Sequence, residues 1–258
     1  MQKLYVIGIG AGDPDQVTVQ AIKAMNRVDV FFVIGKGAEK QELVDLRTGI
    51  LDEHVHGEYQ VIEVADPPRD RTPDDYEGVV DDWHDRRAQV LQEHFAATDG
   101  VGAILVWGDP SLYDSTLRIV DDLSDRSDLT LDVEVIPGVT SASALTAAHG
   151  IVANRIGEPI HITTGRRLAE TPPGVDSNQI VMLDADLAFR HTAHPDDHIW
   201  WGAYLGTADE ILISGRVGDV GERIAAERAA ARERVGWIMD IYLLRRDRAA
   251  TDRAGAAG

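Results

Sequence analysis

Short, nearly unbroken apolar runs punctuate this chain, and longer amphipathic stretches separate them. The runs predict strands over 3–9, 28–34, 59–64, 101–107, 131–136, 159–164, 179–184, 199–205, 209–214 and 237–244. Helical patterns fill 15–26, 39–50, 74–97, 114–125, 139–149 and 219–235. Such alternation predicts an α/β fold with a largely parallel sheet in the first half. The runs at 199–205 and 209–214 lie a few residues apart across Gly206, which is hairpin spacing and adds an antiparallel component to the second half. The rhythm changes in GIVANRIGE, residues 150–158. An N-terminal α/β domain is therefore expected over 1–152 and a C-terminal mixed-sheet domain over 153–246. Residues 165–178 read as a Pro/Gly-rich loop, and the small, polar, aperiodic stretch 247–258 as a frayed tail.

Composition narrows the classes. With 44% apolar residues over 258 positions the chain can build a substantial core. It contains no cysteine, which removes disulfides, thiolate metal sites and a cysteine nucleophile and favours a reducing cytoplasm. No apolar run has the length of a membrane span, and the N-terminus enters a strand without a signal-peptide layout. A formal net charge of −19 opposes nucleic acid and anionic membrane as partners. Lysine occurs only at 3, 23, 36 and 40, so an anionic substrate would have to be gripped by arginines.

The first strand runs into VIGIGAGDPD, which invites a dinucleotide reading. That fingerprint needs a third glycine where this chain has Asp13, followed by Pro14. A carboxylate at a helix mouth repels a pyrophosphate, and the proline removes a donor. No G-K-[ST] is present, so the P-loop fails too. Gly-Asp-Pro returns at 108–110, behind a second apolar run. A carboxylate flanked by glycine suits S-adenosylmethionine, which carries an ammonium, a ribose and a sulfonium but no phosphate. Each tripeptide equally suits a plain turn.

The surrounding motifs decide between these readings. GxGxGDPxxxT (Gly8–Thr18), GDPxxY (Gly108–Tyr113) and a Pro-Gly-Val-Thr-Ser turn into an alanine-rich helix (Pro137–Ser141) follow one another in order. VMLDAD at 181–186 and WGAYLGTADEILISGRV at 201–217 add weaker agreement. This arrangement resembles the tetrapyrrole methylase family, and the resemblance implies two α/β domains with S-adenosylmethionine in the cleft between them. The stretch ADPPRDRTPDDYEGVVDDWHDRRAQVLQEHF is unlike the sirohaem-type uroporphyrinogen methylases, and both it and the opening stretch resemble the aerobic cobalamin branch. They imply methylation of precorrin-5 at C1 with release of acetate. A methylase for another precorrin position, a diphthine synthase-like enzyme, and a cofactor-binding protein without turnover are the rival readings.

By resemblance, the cofactor contacts map onto Ala11, Gly108, Asp109, Leu112, Thr140, Ser141, Leu183 and Ala203. Thr140 and Ser141 suit helix capping as well, and Leu183 and Ala203 suit a plain core. The polar candidates for activating the water of deacetylation are Tyr113, Asp13 and His84. Asp13 alternatively caps the following helix, and His84 alternatively lies on a helix surface. Arg69, Arg71, Arg155, Arg166 and Arg167 are the candidates for the carboxylates of the macrocycle, Arg155 foremost because it sits at the expected domain junction. The histidines form no metal signature, and no metal is assigned. The family implies a homodimer.

Overall fold

The computed structural model describes residues 3–35, 41–65, 67, 76–126, 131–170 and 178–246; for 35, 41–45, 76–82 and 124–126 it describes the backbone alone. The expected tail at 247–258 lies outside these residues. The chain divides into two compact units between Thr140 and Ser141.

The first unit is a doubly wound parallel sheet. Its elements are β1 (Lys3–Gly8), α1 (Val19–Met25), β2 (Val30–Gly35), α2 (Gln41–His54), β3 (Gln60–Ala65), α3 (Tyr76–Ala97), β4 (Val101–Val106), α4 (Thr116–Arg126) and β5 (Asp132–Ile136). The strand order is β3-β2-β4-β1-β5, with every pairing parallel. β1 and β4 are central and buried after their first residue, which is why their sequences are continuous apolar runs rather than alternations. Successive residues point to opposite faces. Tyr5, Ile7, Ala103 and Leu105 join one core with Ala21 and Met25 of α1 and Ile50 and Leu51 of α2. Leu4, Val6, Ile104 and Val106 join the other with Leu91 and Phe95 of α3 and Ile119 and Leu123 of α4.

The second unit comprises α5 (Ser141–Ala148), β6 (His161–Thr164), α6 (Gly165–Glu170), β7 (Asn178–Met182), α7 (Phe189–Thr192), β8 (His198–Ala203), β9 (Ile211–Arg216), α8 (Val217–Val235) and β10 (Asp240–Arg245). Its sheet runs β6-β7-β10-β8-β9, parallel only between β6 and β7. β8 and β9 form the expected hairpin. Leu168 of α6, Phe189 of α7 and Ile224 and Ala231 of α8 pack with Val181, Trp201 and Tyr242 in one core.

All ten expected strands are present, each within a few residues of its predicted bounds. Three local expectations need correction. The stretch 15–26 is not one helix: Pro14–Gln16 forms a single 3-10 turn, and Thr18 then accepts the Ala21 N–H at 3.0 Å and starts α1 afresh. The loop expected at 165–178 begins as α6. The domain division lies before α5 rather than after 152, because α5 packs on the second sheet. His149, just past the end of that helix, meets the Trp201 carbonyl through Nε2 at 3.1 Å.

Candidate functional site

Strand order explains why Gly-Asp-Pro occurs twice. From β1 the chain crosses to one side of the sheet to make β2, and from β4 it crosses to the other side to make β5. β1 and β4 are neighbours, so the gap between their carboxyl ends is the topological switch point, where open α/β sheets bind ligands. Both turns leave the sheet there. They are tied to each other: Gly10 donates to the Gly108 carbonyl at 3.2 Å, and Gly108 donates back to Gly10 at 2.7 Å.

The floor of this place is backbone packed on backbone. A Cβ on Gly8 would lie 2.6 Å from the Gly138 nitrogen, and a Cβ on Gly138 would lie 2.1 Å from the Gly108 carbonyl oxygen. Glycine is therefore required where the ends of β4, β1 and β5 converge.

Asp109 locks the arrangement. Its Oδ1 accepts the Ser111 N–H at 2.8 Å and also the Ser111 hydroxyl, and its Oδ2 accepts the Gly138 N–H at 2.8 Å. Burial pushes this carboxyl up, but the hydrogen bonds from the Ser111 hydroxyl and the Gly138 and Ser111 amides outweigh it and hold it below the usual value. The same turn presents Tyr113 with a left-handed backbone, φ 53°, and 46% exposed, its phenol pushed up by partial desolvation. A side chain held at positive φ marks stored strain, and strain of this kind gathers at functional sites.

The other expected residues of the first unit fall unevenly around this point. Ala11 is buried beside the Gly10 bridge, and Leu112 is half-buried, its amide donating to the Asp109 carbonyl at 3.2 Å. Asp13 is occupied by its own turn, accepting the Asp15 N–H at 2.9 Å, while the Pro14 carbonyl meets His54 Nε2 at 3.1 Å. Thr140 is half-buried next to the division between the units. His84 packs against the Trp83 ring at 5.3 Å between centroids. Arg87, on the same helix, is what reaches the Tyr113 turn. Its guanidinium stacks on Trp83 at 3.9 Å and Nη1 lies 3.5 Å from Ser115 Oγ. Arg47 faces Asp114 in the same loop, and burial lowers the pKa of its guanidinium against the pull of that carboxylate. Sequence reasoning passed over both arginines, although Trp83 and Arg87 stand at the spacing that places side chains together on a helix. Arg69 and Arg71 lie outside the described residues.

In the second unit, Ser141 is half-buried at the start of α5, and Ala203 is wholly buried at the end of β8. Leu183 is the opposite: it has φ 52° and is 67% exposed. Arg155 does not project as a free cation. Its Nη2 donates to the Arg246 carbonyl at 2.7 Å and its Nη1 lies 3.6 Å from Glu158, so it ties its loop to the end of β10. Arg166 is exposed on α6, where Arg167 pairs with Glu170 at 2.6 Å.

Comparison with known proteins gives the family and the fold. The family model described as Tetrapyrrole (Corrin/Porphyrin) Methylases matches residues 3–221. A Sinorhizobium protein named precorrin-6A synthase [deacetylating] is 48% identical over 250 residues, covering 95% of this chain and 96% of that one. The crystal structure of a cobalamin synthesis related protein (CobF) from Corynebacterium diphtheriae superposes with a TM-score of 0.83 at 42% identity, covering 95% of this chain and 99% of that one. Uroporphyrin-III C-methyltransferase from Thermus thermophilus, solved with S-adenosyl homocysteine, shares the fold at a TM-score of 0.55 and 18% identity, covering 94% of this chain and 91% of that one.

Proposed function

This chain belongs to the tetrapyrrole methylase family, and from that premise we propose that it is an S-adenosylmethionine-dependent methyltransferase catalysing the precorrin-6A synthase (deacetylating) reaction of cobalamin biosynthesis. The observation that carries this reading is the paired Gly-Asp-Pro turn at the switch point, in a chain 48% identical to a protein of that name along 95% of its length. The substrate is precorrin-5, methylated at C1, and the products are precorrin-6A, S-adenosylhomocysteine and acetate.

The cofactor fits the residues present. A glycine floor admits close approach, and an ionised Asp109 repels phosphates but favours an ammonium or sulfonium. Oδ2 of Asp109 accepts one bond within the protein, from Gly138, which leaves a lone pair for the cofactor's ammonium. Gly108, Leu112, Ala11 and Thr140 belong to the same motifs, and Ser141, Leu183 and Ala203 stay cofactor-contact candidates by resemblance to the family.

When bound, S-adenosylmethionine supplies an electrophilic methyl group on its sulfonium. Transfer to the macrocycle needs donor and acceptor carbon held in line rather than a base. Deacetylation needs a water that attacks the acetyl carbonyl, so that acetate departs and the electron pair stays with the ring. Tyr113 is the residue best supported for orienting that water, being exposed and held under strain beside Asp109. Asp13 and His84 are engaged with their own elements. Arg69, Arg71 and Arg166 stay candidates for the substrate's carboxylates, while Arg47 and Arg87 are engaged with the Tyr113 loop itself. The protein works as a homodimer in the cytoplasm.

Calorimetric titration with S-adenosylhomocysteine, with NAD as control, tests the cofactor. Saturable binding of the first alone is expected, and binding of neither would overturn the reading. Incubation with precorrin-5 and S-adenosylmethionine, followed by mass spectrometry, should show gain of a methyl group, loss of an acetyl group and free acetate.

A further inference from the structure

We infer that Asp184 and Tyr242 are positioning residues that hold Leu183 in the conformation in which it contacts the cofactor; this rests on the methyltransferase reading above. Leu183 carries two penalties at once. Its backbone lies in the left-handed region at φ 52°, which is disfavoured for any residue with a Cβ, and two thirds of a large apolar side chain is left in water. Glycine at this position would remove both. A position that keeps leucine under these conditions uses the side chain for something outside its own unit's core.

What maintains the strained conformation is the next residue. Asp184 is buried, and its Oδ2 accepts the Tyr242 hydroxyl and the Ala188 N–H, each at 2.7 Å. Its Oδ1 accepts the Asp186 N–H at 3.2 Å, and its backbone carbonyl accepts Arg228 Nη2 at 2.8 Å. Arg228 is itself held to Asp240, at 2.8 Å from Nε to Oδ2, and Asp240 also accepts the Trp201 indole N–H at 3.0 Å. The carboxylate is thus fixed to β10 through Tyr242, and its backbone to α8 through Arg228.

On the remaining side α6 closes in. A Cβ on Gly165 would stand 2.3 Å from the Asp184 carboxylate, so only glycine lets that helix begin there. Burial and the neighbouring Asp184 raise the Tyr242 phenol well above its ordinary value, which keeps it a hydrogen-bond donor throughout the working range of pH. Leu187, four residues on, also has a left-handed backbone, at φ 54°, but it is buried. The loop therefore contains two residues of the same unusual conformation, one packed inward and one presented outward. Asp184 acts at one remove, by fixing the backbone from which Leu183 projects.

A mutant cycle on the full-length protein separates this role from a purely structural one. Titration with S-adenosylhomocysteine is read beside thermal melting for the wild type, Leu183→Gly, Tyr242→Phe, Asp184→Asn and the two doubles with Leu183→Gly. Leu183→Gly should weaken binding about tenfold, the order expected for one lost apolar contact, with Tm unchanged or raised. Tyr242→Phe and Asp184→Asn should each weaken binding severalfold and lower Tm. In the Leu183→Gly background they should lower Tm again but cost no further affinity. Wild-type affinity in Leu183→Gly, or an equal loss of affinity in both backgrounds, would overturn the positioning role. Tyr242→Phe deletes one oxygen and keeps the ring edge-on to Phe189 at 5.3 Å, so it carries the cycle if Asp184→Asn does not fold. Failure of the wild type to bind would instead overturn the methyltransferase reading itself.

Discussion

The turn after β4 and the turn after β7 are built on one plan from unrelated sequences. Each ends a buried strand, each centres on a buried aspartate, and each presents a large exposed side chain at positive φ, Tyr113 in one and Leu183 in the other. The carboxylates are satisfied differently. Asp109 takes backbone N–H groups and a serine hydroxyl and reaches across to Gly138 at the end of β5. Asp184 takes a tyrosine hydroxyl from β10 as well as amides of its own loop. A turn that must hold a strained residue thus needs an anchor from elsewhere in the chain. Any donor will serve if the carboxylate is buried enough for the bond to be strong.

Substitution at the glycines that make room for each anchor is the most forceful way to break the comparison. Gly138→Ala drives a Cβ into the Gly108 carbonyl, and backbone cannot step aside. Urea denaturation should show a loss of about 3 kcal/mol, the upper part of the range for overpacking, together with loss of S-adenosylhomocysteine binding. Gly165→Ala meets a side chain, so its effect should be smaller. Equal losses would mean that the two floors are equally rigid.

Removing the first anchor comes next. Asp109→Ala should weaken cofactor binding by about 1.5–3 kcal/mol, since it deletes a charged acceptor and leaves the Gly138 amide without its partner. Wild-type affinity in that variant would reduce Asp109 to a turn residue. Arg155→Ala tests a tie of a third kind, between a loop and the end of β10. Stability should fall by about 1 kcal/mol, with the affinity for S-adenosylhomocysteine unchanged. A selective loss of precorrin turnover would instead return Arg155 to the substrate site.

The smallest effect expected is on pH dependence. Asp109 titrates below its ordinary 3.8 when folded, so its contribution is fully present above the unfolded value and disappears as pH falls through the folded one. Asp109→Asn should therefore lose less stability than the wild type as the pH drops below about 4, measured by urea midpoints across that window. Parallel curves would show that the hydrogen bonds do not favour the ionised form.

Much of the first turn was legible in the sequence because its requirements are local. Gly108, Asp109 and Tyr113 follow one another in one motif, and Gly8 and Gly138 lie in the other two. The second turn was legible only as VMLDAD, by resemblance, since the partners that explain it stand far away on β10, α6 and α8. Arg155 shows the same limit from the other side. The domain junction expected there suggested a substrate grip, yet Arg155 lies within the second unit and its guanidinium is spent on Arg246 and Glu158. Arg87 was missed because a buried guanidinium on a helix is betrayed only by the aromatic ring it covers.

By itself, then, the sequence determined the ten strands, most of the helices and the glycines of the switch point. Burial on both faces writes itself as an apolar run, and close backbone contact tolerates no side chain. The tertiary structure alone decided that the two Gly-Asp-Pro turns meet, that Asp109 binds Gly138 and that Asp184 binds Tyr242. Each of these is a contact between residues distant in sequence, and its energy depends on packing that brings donor and acceptor together away from water.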